Sequence, residues 1–205
     1  MKKIAVLLMA ALMLCLMTSA VWAADADKAE KEQVKIVKQR AEIDELSTKA
    51  LANLYAKIPS SERVIRDCYA YATLSNTGMK LGWLGDAHGR GLAVNNKTGE
   101  KIYMRMKEVG IGIGLGVKEY DLIFVIGTEK AWKSFISGDI KFASSADAAA
   151  NDGKTGGAVD GANFAANGIW VYQMTKKGLA LEASIKGTKI YPDKKLNTYE
   201  EEENS

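Results

Sequence analysis

Apolar and polar positions divide the chain into three stretches of different character. Lys2 and Lys3 are followed by an uncharged apolar run from Ile4 to Met17. Thr18-Ser19-Ala20 then lead into Val21-Trp22-Ala23, with small or β-branched residues at the −3 and −1 positions of a cleavage site. The pattern predicts a signal peptide over residues 1–23. The run is shorter than the roughly 20 residues a membrane-spanning helix needs. Leu14 stands where a lipoprotein site has a small residue, and the apolar run continues past Cys15, so lipidation there is not expected.

The second stretch, residues 24–58, predicts one long helix. From Asp27 to Lys57 there is no Gly or Pro, and Ala, Glu, Lys and Leu dominate. Ile36, Ile43, Leu46, Ala50 and Leu54 cluster on a 3.6-residue wheel and form its core face. Lys28, Lys31, Lys35 and Lys38 line another side, flanked by Val34, Val37 and Ala41. That side suits either a solvated surface or an anionic membrane. Pro59 stops the helix, and Ser60-Ser61-Glu62 open a short second one that ends near Cys68.

From Tyr69 onward Gly is frequent, and short apolar runs alternate with turn signals. Strands are predicted near Tyr69–Leu74, Gly91–Asn95, Ile102–Met106, Gly110–Val117 and Tyr120–Ile126. Asn95-Asn96-Lys97-Thr98-Gly99 reads as a hairpin loop. Thr128 caps a helix running through Ile136, with Gly138 as its left-handed stop. Residues 144–167, rich in Ala, Gly, Asp and Asn, read as a long loop or a weak strand. Trp170, Tyr172 and Met174 alternate on one arm of a closing hairpin. Lys176-Lys177-Gly178 turn it, and Leu179, Leu181, Ala183 and Ile185 alternate on the other arm. Residues 59–198 thus form one domain, and residues 199–205 an acidic tail. The predicted class is α+β: the long helix, then a curved, mainly antiparallel, barrel-like Gly-rich sheet with one inserted helix.

Charge narrows the function. Removal of residues 1–23 takes two lysines and no acid from a chain of formal net charge +3, so the exported part is close to neutral. A nucleic-acid binder would carry a basic excess. Only Cys68 remains after that cleavage, so no internal disulfide can form, and its apolar neighbours favour a buried, unreactive thiol.

Candidate chemistry is sparse. His88 is the only histidine, with Asp86 nearby but no nucleophile-elbow serine. Gly153-Lys154-Thr155 lacks the first glycine of a phosphate-binding loop, because Ala stands at 148. Asp121 suits a turn or cap better than catalysis. No enzyme, cofactor or metal is expected. In Gly110-Ile111-Gly112-Ile113-Gly114-Leu115-Gly116-Val117 the period of two puts every glycine on one strand face, which calls for close packing against backbone or a helix. Leu115 and Val117 occupy the positions where a dinucleotide-binding loop needs its third glycine.

This glycine ladder, followed by Tyr120-Asp121-Leu122-Ile123, resembles the central signature of the SYLF family. Tyr69-Ala70-Tyr71-Ala72 is similar to the family's opening strand, and Gly89-Arg90-Gly91 to its second. The segment from Ala131 to Gly138 and the ending Gly178-Leu179 through Ser184-Ile185-Lys186-Gly187 also match, so the resemblance covers roughly Glu62 to Leu196. SYLF members are lipid-binding modules in eukaryotic actin-associated proteins and exported proteins in bacteria. The resemblance implies binding of acidic lipids, phosphoinositides among them in eukaryotes. The expected partner is an anionic phospholipid or membrane surface, with an envelope protein as the alternative, and the expected location is the periplasm. Lys176, Lys177, Lys186 and Lys189 are the candidate head-group contacts, and ordinary solubilising charge explains them equally well.

Overall fold

The structure is a computed structural model. It describes residues 2–75, 88–108, 120–140, 142, 162–166, 168–175, 178–180 and 188–198, with side chains from Lys28 onward except at His88, Glu108 and residues 178–180. The glycine ladder, Lys176, Lys177, Lys186, Asp86, the Gly153-Lys154-Thr155 segment and the acidic tail lie outside the described residues. Two compact units are formed, Met1–Arg40 and Ala41–Ser205.

Helix α1 (Lys2–Lys57) contains the Gly- and Pro-free stretch from Asp27 to Lys57. In the first unit Ile36 is buried, whereas Val34 and Val37 are exposed. In the second, Ile43, Ala50 and Leu54 are buried as the helical wheel requires, and Ser47 is buried with them. Helix α2 (Ser60–Asp67) follows Pro59 and buries Ile65. The Ser61 hydroxyl donates to the Ile58 carbonyl at 2.6 Å, bridging the break between the two helices.

Strands β1 (Ala70–Ser75), β2 (His88–Asn95), β3 (Lys101–Glu108) and β4 (Tyr120–Ile126) come next. Helix α3 (Glu129–Ser137) is capped by Thr128, whose side chain accepts from the Ala131 amide, and it ends at Gly138 with φ 77°. Strands β5 (Asn163–Ala166), β6 (Ile169–Thr175), β7 (Gly178–Ala180) and β8 (Thr188–Pro192) follow, then a single helical turn, α4 (Lys194–Asn197). All described pairings are antiparallel, in the order β5-β6-β4-β1-β2-β3-β8, with β7 also on β6. The protein is α+β, a long helix followed by a curled antiparallel sheet.

The middle of this sheet is buried on both faces. Leu122, Phe124 and Ile126 of β4 join Ile169 and Val171 of β6 under Trp132 and Phe135 of α3. The rings of Phe124 and Phe135 meet at 5.2 Å, tilted by 56°. The intervening residues, Ile123 and Val125, join Tyr172 and Met174 against Ala50 and Leu54 of α1 and Ile65 of α2. Burial on both sides is why Leu122 to Ile126 reads as an unbroken apolar run rather than an alternation.

Strand β5 realises the weak-strand alternative at the end of the Ala- and Gly-rich stretch, paired with β6 through a register shift between Phe164 and Ala166. One structural feature departs from the sequence reading. Strand β8 was not expected at all. It has one large core residue, Ile190, and carries Lys189 and Pro192, residue types that protect a sheet edge.

Candidate functional site

The α1 side of the sheet changes from apolar to basic as β2, β3 and β8 are crossed. Lys101-Ile102-Tyr103-Met104-Arg105-Met106-Lys107 alternates strictly, so Met104 and Met106 enter the α3-side core while Lys101, Tyr103, Arg105 and Lys107 share the opposite face. Residues directly opposite one another in an antiparallel pair share a face, so the register extends this face across the neighbouring strands. One row runs Asp121, Ser75, Arg90, Arg105, Tyr191 through β4, β1, β2, β3 and β8. The next row pairs Lys107 with Lys189 across β3 and β8.

Two like-charged pairs therefore stand directly opposite each other in adjacent rows, Arg90 with Arg105 and Lys107 with Lys189. Such pairs destabilise a sheet by roughly the 0.2–1 kcal/mol that opposite charges contribute. One of these cations is tightly matched: the Arg105 Nε donates to the Asp193 Oδ2 at 2.6 Å, and the Asp193 side chain is 3% exposed. This hydrogen bond is the leading reason that the Arg105 guanidinium is held above its ordinary value. Arg90 is shifted the other way, first by burial and then by the Arg105 charge, with Asp193 and Glu42 partly opposing. Its Nη1 is buried and has no hydrogen-bond acceptor among the described residues. Lys107 and Lys189 are exposed.

Helix α1 is tied to the sheet next to this patch by polar contacts. The Thr73 hydroxyl donates to the buried Ser47 hydroxyl at 2.7 Å. Asp44 accepts from the Tyr103 hydroxyl at 3.4 Å and pairs with Lys101 at 3.7 Å. On the outer side, the Asn197 amide bonds both backbone groups of Tyr103, each at 2.9 Å, as a neighbouring strand would. Asp193 also caps α4, accepting from the Lys195 and Leu196 amides.

Of the four lysines singled out from the sequence, Lys189 is described, and it lies in this patch. His88 is the first residue of β2, opposite Lys107. Arg90, Arg105 and Lys107 were missed as site residues, although the basic alternation from Lys101 to Lys107 was a readable signal. Cys68 donates from its thiol to the Ile65 and Ala70 carbonyls, both at 3.1 Å. Burial pushes its pKa up to about 11, so the nucleophilic thiolate is scarce at neutral pH. Iodoacetamide at pH 8 is expected to label Cys68 slowly in the native protein and fast in denaturant. Equal rates in both would contradict the half-buried, protonated thiol.

The family model described as "Ysc84: Las17-binding protein actin regulator" matches residues 107–201, from the end of β3 past α4. "Beta cell expansion factor A" of Aeromonas veronii is 31% identical over 181 residues, covering 85% of this chain. The chain spans 66% of that relative's length. SYLF proteins form a family of binding domains. The chain resembles that family in its glycine ladder and strand motifs, and the family model and this relative carry the assignment: this protein belongs to the SYLF (Ysc84) family.

Proposed function

We infer that the protein binds anionic phospholipid at a membrane surface of the cell envelope, without performing chemistry. The observation that carries this reading is the pair of opposed like-charge pairs on β2, β3 and β8. Asp193 answers Arg105 alone, and an anionic partner would offset the repulsion that is left, above all between the exposed Lys107 and Lys189. Family membership supports a binding role, and Lys2, Lys3, the apolar run and Val21-Trp22-Ala23 support export to the periplasm. Mass spectrometry of protein recovered from the envelope should find Ala24 as the first residue; an intact Met1 terminus would contradict cleavage.

A lysine near an anionic bilayer contributes about 1 kcal/mol, decaying within a Debye length. Removing Lys107 and Lys189 together should cost about 2 kcal/mol, more than a tenfold drop in partitioning. Both side chains are exposed, so the domain should stay folded. Co-sedimentation of the Lys107→Gln/Lys189→Gln protein with anionic vesicles tests this. A parallel Lys176→Gln/Lys177→Gln protein tests the hairpin lysines as a second contact. Undiminished binding by both would remove these lysines from the interface.

The second reading is an envelope protein that binds another protein. Val34 and Val37, 63% and 56% exposed, favour it, since exposed apolar side chains on a helix suit a protein partner as well as a membrane. Absence of vesicle binding at any ionic strength would select it.

A further inference from the structure

Lys107 and Lys189 oppose each other at the exposed rim of the basic face, and the acids nearest that face are engaged elsewhere. Asp193 is held by Arg105 and by the cap of α4, and Asp44 by Lys101 and Tyr103. Among the described residues no carboxylate pairs with either lysine. Acid follows a short way on in the chain. After α4 come Thr198 and Tyr199, then Glu200, Glu201, Glu202 and Glu203 in an unbroken run. The start of that segment is anchored. Asn197 accepts from the Tyr103 amide and donates to the Tyr103 carbonyl, each at 2.9 Å, which holds it beside β3. Lys107 lies further along the same strand, about 13 Å away at a rise of ~3.3 Å per residue. An extended chain covers roughly 3.3–3.6 Å per residue, so Glu201 reaches as far as Lys107 and Glu203 well past it.

We propose that residues 200–203 fold back over the β3–β8 rim and cover Lys107 and Lys189, so that an anionic partner must displace them before it binds. Charge complementarity and reach select this occupant. Alternate side chains of an extended segment share a side, so a run of four acids presents two carboxylates to the lysines in either register. Tethering gives the segment an effective concentration on the order of millimolar, which offsets a weak contact. Exposed ion pairs are individually weak and screened by salt, so the cover is reversible and a densely charged surface outcompetes it. The cover is a regulation of the face already described. It rests on the membrane-binding reading for the identity of the displacing partner, while the contact between the glutamates and the lysines does not.

Carbodiimide cross-linking, which joins lysine amines to carboxylates in contact, tests the cover without any ligand. Monomeric protein is expected to give links from residues 200–203 to Lys107 or Lys189, suppressed by high salt. A Glu200→Gln/Glu201→Gln/Glu202→Gln/Glu203→Gln protein is then compared with wild type on mixed phosphatidylglycerol and phosphatidylcholine vesicles. A covered face binds in proportion to its free fraction, so the neutralised segment should raise vesicle affinity about three- to tenfold. That gain should vanish in a Lys107→Gln/Lys189→Gln background, where nothing is left to cover. General repulsion between the glutamates and the vesicle would persist there. Links confined to the neighbouring Lys194 and Lys195, links found only in cross-linked dimers, or an equal gain in both backgrounds overturns the cover. Links to Lys107 or Lys189 with no vesicle binding by any of these proteins upholds the cover and removes the membrane reading.

Discussion

Gly91→Ala is expected to unfold much of the sheet rather than merely weaken it. Gly91 sits in the middle of β2, opposite Leu74 of β1 and Met104 of β3. A Cβ at this position would overlap the Thr73 carbonyl oxygen and lie 2.8 Å from the Thr73 carbonyl carbon and the Leu74 Cα. All three are backbone atoms of a central strand and cannot rotate away, so β1 must separate from β2 or β4. Overpacking against side chains typically costs about 1–3 kcal/mol, and a backbone collision belongs at or above the top of that range. Gly99→Ala is the matched control. Its added methyl meets nothing within 4 Å, so only the left-handed backbone at φ 77° is penalised, by roughly 1–2 kcal/mol. Melting curves of the two variants should therefore differ clearly; equal melting temperatures would refute the close approach of β1 to β2.

Gly91 also shows what a sequence discloses and what it conceals. The Gly89-Arg90-Gly91 cluster marked a strand of the family type, but the atom that forbids a side chain belongs to β1, some way off in the chain. Other elements were legible because their causes are local. Thr128 as cap, Gly138 as stop, the Asn95–Gly99 loop and the bounds of β4 follow from neighbouring residues. Ile43, Ala50 and Leu54 follow from helical periodicity. Ser47 was omitted from that face because it is polar, and its burial depends on Thr73 of a distant strand. Strand β8 was illegible for a similar reason: Thr188–Pro192 has one large core residue and is held by pairing with β3. Without β8, the rows that join Arg105 to Tyr191 and Lys107 to Lys189 do not exist. Lys189 was identified as one of several surface lysines; only the register showed that it opposes Lys107.

The second large effect is expected at Asp193. Its carboxylate takes the Arg105 Nε–H through Oδ2 and two amides of α4 through Oδ1, while its own amide donates to the Tyr103 carbonyl at 2.8 Å. Asp193→Ala removes a helix cap, typically about 1 kcal/mol, and a charged hydrogen bond of about 1.5–3 kcal/mol. It also leaves Arg105 facing Arg90 without its acid. The combined loss of roughly 2–4 kcal/mol corresponds to about 5–15 °C in melting temperature for a domain of this size. Asp193→Asn keeps a capping oxygen and gives up only the charge, so it should fall between wild type and Asp193→Ala. An Asn variant as unstable as the Ala variant would show that the cap contributes nothing.

An environment-sensitive fluorophore placed on the basic face, and on a control site, tests most directly whether that face meets the membrane. Lys189→Cys puts the label in the basic row, and Lys97→Cys puts it on the exposed β2–β3 loop, at the far end of β2 from His88. Cys68, half-buried and protonated, should contribute little labelling under native conditions. With anionic vesicles the label at 189 is expected to shift to the blue and that at 97 to stay unchanged, with neither responding to neutral vesicles. A response at 97 alone, or none at either position, would contradict docking through the β2–β3–β8 face.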